Sequence, residues 1–133
     1  MGNKWVLGLL LLLPLSVQAE DYQTAVKTVI KSQIAAFAED DAEKAFSYAS
    51  REIQSLFVTA ENFITIVAED YPAVYRAGYV DFKKPVPHNG FVVQQITLRG
   101  PEGRYWQGHY TLVEEDQEWR IKGVQLKEMS RGI

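Results

Sequence analysis

The stretch FVVQQITLRGPEGRYWQGHYTLVEEDQEWRIKGVQL, residues 91–126, reads as three strands joined by two short turns. Residues 91–98 are rich in β-branched side chains, 104–113 alternate polar with aromatic and aliphatic groups, and Trp119 and Ile121 alternate with Arg120 and Lys122. Gly100-Pro101-Glu102-Gly103 is turn chemistry, and residues 114–118 form a polar tip. Strands on connections this short run antiparallel, as a meander. Val124 and Leu126 fall on the opposite parity from Trp119 and Ile121, which a β-bulge at Gly123 resets.

Working outward from that meander, residues 79–83 make one more short strand. Pro85 and Pro87 then impose an edge or a loop leading to His88-Asn89-Gly90, because neither proline donates a ladder hydrogen bond. Before Gly78 the spacing is helical. Tyr22, Val26, Ile30, Gln33 and Phe37 recur every three to four residues, with Gln23, Lys27 and Lys31 opposite. Asp40 and Glu43 predict a capping box opening a second helix that turns Ala42, Ala45, Phe46 and Ala49 inward. Residues 51–58 fit either a helical turn or a brief strand. Thr59 predicts the cap of a third helix with Phe63, Ile64 and Val67 on its apolar side, ended near Tyr71 by Pro72. Helices followed by a meander predict an α+β fold, N-terminal helices on one face of a curved antiparallel sheet, with residues 20–133 as a single domain.

Residues 1–19 read as an export leader. Lys4 supplies the positive n-region, residues 5–15 an apolar core, and Ser16-Val17-Gln18-Ala19 the small residues a signal peptidase needs, so the mature chain is expected to start at Glu20, after Ala19. The apolar core is much shorter than the ~20 residues of a spanning helix, and Pro14 interrupts it, so no membrane span is expected after cleavage. Val6 occupies the position where myristoylation prefers Ser or Thr, and the chain contains no cysteine for lipid attachment. A periplasmic or secreted location follows from that reading.

Without cysteine there are neither disulfides nor thiolate metal sites, so stability must come from packing. The net charge of −3 and the lack of any basic cluster argue against nucleic acid or an anionic membrane as partner. His88 and His109 lie on different elements, and Glu114, Glu115, Asp116 and Glu118 lack the glycine and alternating ligands of a calcium loop; no metal or cofactor is expected.

Residues 33–50, with Asn62-Phe63, Tyr71-Pro72-Ala73-Val74-Tyr75 and Trp119-Arg120-Ile121 onward, resemble the DUF4864 family of exported bacterial domains of unknown function. Val124 is a departure, standing where relatives often carry cysteine, so the resemblance implies no redox role here. The order of elements is similar to the NTF2-like, or cystatin-like, α+β cone. That resemblance implies a pocket at the wide end of a bent sheet and leaves function open, since the superfamily holds enzymes, carriers and interaction modules.

On a strand reading His109 shares a face with Tyr105, Gln107 and Thr111, while Trp106, Tyr110 and Leu112 share the other. If the first face is concave, Tyr75, Tyr79, Gln95, Gln107 and His109 converge as the lining of a site for a small, partly apolar molecule. The apolar-inward rule favours the other arrangement, with His109 turned to water. Tyr71, Tyr75, Tyr79 and Phe82 read either as a pocket mouth or as the shell where helix meets sheet. Asp70, Asp81, Glu61 and Asp41 are the available carboxylates, each at a helix end, a cap or an exposed strand. Three functions follow: a binding or accessory module with a hollow cone, a homodimer or envelope-partner module with a filled cone and an apolar outer sheet face, and a small isomerase or dehydratase. The last needs His109 and a carboxylate in one cavity.

Overall fold

The computed structural model describes residues 15–130, with side chains from Tyr22 onward. The leader's residues 1–14 lie outside the described residues, and at Ala19 and Glu20 only the backbone is described.

Helix α1 spans Leu15–Ala38. Its apolar stripe is the one the spacing predicts: Val26, Ile30, Gln33 and Phe37 are all buried. Asp40 takes a left-handed φ of 57° and turns the chain, and Asp41 is the residue that caps α2 (Ala42–Ser47), accepting from Lys44 N at 3.1 Å. The capping box predicted at Asp40 is thus displaced by one residue, because a residue in the left-handed region cannot offer the extended geometry of a cap. Residues 51–58 resolve as helix: α3 covers Arg51–Phe57, with Ser50 Oγ accepting from Ile53 N. Helix α4 covers Ala60–Asp70, with Thr59 as the expected cap on Asn62 N. Pro72 opens one further turn, α5 (Pro72–Tyr75), at the first helical position where its missing N–H costs nothing.

The strands are β1 (Tyr79–Phe82), β2 (Val86–Pro87), β3 (Val92–Arg99), β4 (Tyr105–Glu115) and β5 (Glu118–Glu128), in one antiparallel sheet of order β1-β3-β4-β5 with β2 on β3. Asp116 and Gln117, both at positive φ, form the two-residue turn between β4 and β5. The expected bulge is present. Thr111 pairs with Gly123 and Leu112 with Ile121, so Lys122 is the extra residue, and Val124 and Leu126 return to the inner face opposite Tyr110 and Gly108.

Val92, Ile96, Leu98, Tyr110, Leu112 and Ile121 of the inner face pack against Val26, Ile30 and Phe37 of α1. Two bonds stitch the helical layer to the sheet beside the bulge: Ser50 N to Ile121 O (2.9 Å) and Ile121 N to Tyr48 O (2.8 Å). These bonds cover part of the β5 edge, which would otherwise present unpaired backbone groups.

Candidate ligand cavity

The helices do not fill the space over β5. A cavity of about 230 Å³ lies between α1, α3, α4 and the bulged strand. Its floor is made by Gln33, Phe37, Ala49, Phe63, Val67, Val74 and Ile121, all buried, and its rim by Ile53, Leu56, Phe57, Ile66, Tyr71, Gly123 and Val124. Leu56 is 71% exposed while lining the space, so the cavity opens beside α3. The opening follows from the local sequence: α3 buries none of its own residues and hangs from the Ser50 cap and from Gln54 Nε2, which donates to Phe46 O and Ala49 O at 3.0 and 3.1 Å.

At the end of α3, Val58 sits at φ 71° and ψ −48°, in a tight turn closed by Thr59 N donating to Phe57 O at 2.8 Å. A β-branched residue in that region is strained. On the opposite wall the bulge places Gly123, which has open space where a Cβ would stand, against the cavity. A second cleft adjoins the first across Tyr71 and Val124 and carries Asp70 and Trp106.

Among the lining residues only Gln33 is both polar in its side chain and buried. Its Nε2 donates to Ala45 O at 3.1 Å, which fixes the amide orientation, and no donor among the described residues meets Oε1. Phe37, Phe57 and Phe63 bring three rings to the wall, with Phe63 centred 5.9 Å from Phe37 and 5.5 Å from Phe57. The lining holds no carboxylate, lysine, arginine or histidine. Proton transfer between His109 and a carboxylate therefore has no place in this cavity.

The residues expected to line a pocket lie elsewhere. Tyr110 and Leu112 are buried, with Trp106 on the same inner face, so Gln107 and His109 point outward. Gln95 pairs directly with His109, which pairs in turn with Gln125, and Gln107 pairs with Thr97: a polar row on the outer face, separate from the cavity. His109 lines a broad outer groove with Phe91, Val93 and Thr111, which meets the rim of the cavity at Gly123 and Val124. The concave placement of Gln95, Gln107 and His109 is corrected by the parity of β4, where three large apolar groups outweigh the face of imidazole and amides.

Tyr79 is half exposed on β1 opposite Arg99. Tyr75 is held in a clasp outside the cavity: its hydroxyl donates to Asp40, Arg76 forks onto the same carboxylate at 2.9 and 3.0 Å, and the guanidinium lies 4.0 Å over the Tyr75 ring. Arg76 also donates to Phe37 O at 2.7 Å, satisfying a carbonyl at the end of α1. The Tyr75 bond, and secondly Arg76, hold the Asp40 carboxyl below its ordinary range; the same bond raises the Tyr75 phenol.

Burial likewise raises the Tyr110 phenol, whose hydroxyl has no partner among the described residues. Those residues form no cluster of metal-ligating side chains and no helix long and apolar enough to cross a membrane.

Sequence reasoning passed over Gln33. Its signal was present as a polar residue on the apolar stripe of α1, and the stripe's regularity absorbed it.

The family described as "Domain of unknown function (DUF4864)" matches residues 19–132. A search of curated proteins found no match. Among solved structures, the chain is similar to an NTF-2 like protein of unknown function from Silicibacter pomeroyi DSS-3, with a TM-score of 0.59 and 10% identity over 84% of this chain and 98% of that one. At that identity the likeness is one of fold.

Proposed function

Because this chain belongs to the DUF4864 family and has an NTF2-like fold, neither of which assigns an activity, we propose from the cavity itself that the protein is an exported module binding a small, largely apolar molecule. The observation that carries the reading is the 230 Å³ cavity, floored by buried apolar side chains and open beside α3. A chain selected only to pack would gain stability by filling that space.

Export rests on residues 1–19. Removal of the leader after Ala19 leaves Glu20 and Asp21 as the first residues of α1. The first described side chain beyond them, Tyr22, lies 6.4 Å from Trp119, ring centre to ring centre, so the mature chain keeps its anchor on β5.

A homodimer or partner-docking role through the outer sheet face draws less support. The polar row of Gln95, Thr97, Gln107 and His109 separates Val86, Phe91 and Val93 at one end of that face from Tyr79 and Tyr105 at the other, where the interaction reading requires a contiguous apolar patch.

Native mass spectrometry of protein recovered from the bacterial envelope tests both parts. The expected spectrum is a chain beginning at Glu20 with a bound small molecule that collisional activation releases. A chain that retains residues 1–19 contradicts export by cleavage, and an empty chain that takes up no apolar compound contradicts the binding role.

A further inference from the structure

Resting on the reading of the cavity as a ligand site, the lining further specifies the ligand's chemistry. Size comes first. An apolar cavity of about 150 Å³ accommodates benzene, and this one is about 230 Å³, which suits two fused rings. Charge comes second. The lining carries no carboxylate, lysine, arginine or histidine, so an ammonium or carboxylate group would lose its hydration without gaining a counter-charge. Shape comes third, since Phe37, Phe57 and Phe63 put three rings on the lining in tilted and edge-on contact, the geometry in which a further aromatic ring packs favourably.

The polar handle is Gln33. It is 4% exposed, lines the cavity, and has its amide turned by the bond from Nε2 to Ala45 O, so that the unused group is the acceptor Oε1. An acceptor on the cavity wall with no protein donor is selective once a ligand displaces the water over it: it favours a ligand that brings an O–H and disfavours the same skeleton without one. We propose that the cavity binds a neutral two-ring aromatic molecule bearing one hydroxyl, which donates its hydrogen bond to Gln33 Oε1.

Calorimetric titration of the whole mature protein at neutral pH with 2-naphthol, naphthalene and 2-naphthoate tests this. The expected order is 2-naphthol about five- to tenfold tighter than naphthalene, the gain of one hydrogen bond, with 2-naphthoate not binding. In Gln33→Leu that preference should disappear, with 2-naphthol binding no tighter than naphthalene because its hydroxyl has lost its acceptor. Val124→Phe, on the rim, should weaken both by narrowing the space. Equal binding of naphthol and naphthalene to the unmodified protein overturns the hydroxyl assignment while leaving the cavity as a ligand site. Preferred binding of the naphthoate overturns the requirement for neutrality. Failure of all three compounds to bind counts against the cavity itself as a site for ligands of this class. If Gln33→Leu does not fold, the comparison on the unmodified protein still decides.

Discussion

Gln33 Nε2 donates to the carbonyl oxygen of Ala45 at 3.1 Å, a buried bond that ties α1 to α2 at the edge of the cavity. One amide on the cavity wall thereby holds two helices together through its nitrogen and keeps its oxygen without a donor among the described residues. Gln33→Leu removes the tie while keeping the volume. The expected cost is about 1 kcal/mol, seen as a lower urea midpoint with an unchanged slope.

The clasp of Asp40, Tyr75 and Arg76 predicts a stability profile with two edges. Asp40 is held below its ordinary 3.8, so its contribution is present above that value and fades as pH falls through the lower folded one. Tyr75 is raised above its ordinary 10.0, so its contribution is present below that value and fades as pH rises through the higher folded one. Melting temperatures of the unmodified protein and of Asp40→Asn should therefore differ by a constant amount from about pH 5 to 9 and converge in stronger acid. A difference that grows on acidification would contradict the assignment.

Gly100 lies where α5 meets the end of β3. A Cβ there would stand 2.9 Å from Ala73 Cβ and 3.0 Å from Ala73 Cα, and Ala73 is buried with no flexible end to move aside. Gly100→Ala should destabilise the protein by about 1–3 kcal/mol, measurable by urea unfolding.

Gln117 occupies the second position of the β4–β5 turn at φ 67°, after Asp116 at φ 51°. Asp-Gly is a preferred pair for such a turn, whereas glutamine carries a Cβ into the left-handed region. Gln117→Gly should raise stability by about 1 kcal/mol, read as a higher melting temperature.

The fold was largely legible in the sequence because its determinants are local. The alternation from residue 91 onward, the parity change at Gly123 and the cap at Thr59 each act within a few residues, and the strands, the bulge and the start of α4 follow them. Residues 51–58, by contrast, stay open between helix and strand on spacing alone, and the Ser50 cap in the structure settles them as helix. The one-residue displacement from Asp40 to Asp41 arose because Asp40 ends α1 in the left-handed region, with its carboxylate engaged by Arg76, thirty-six positions away, a partner no local pattern announces.

The site was less legible. Its wall is assembled from α1, α3, α4 and β5, and whether packing closes the space between them depends on side-chain volumes summed across all four. Chemically conspicuous residues drew attention to His109 and its neighbours. The cavity uses phenylalanines and aliphatic groups that read as ordinary core, with one glutamine among them.

The most direct test of the cavity is amide chemical-shift mapping of the isotopically labelled mature protein with and without 2-naphthol. The account predicts the largest changes at Gln33, Phe63, Val67, Ile121 and Val124, which surround one space. Changes centred instead on Gln95, His109 and Gln125 would move the site to the outer sheet face and contradict it, as would an unaltered spectrum at saturating concentration.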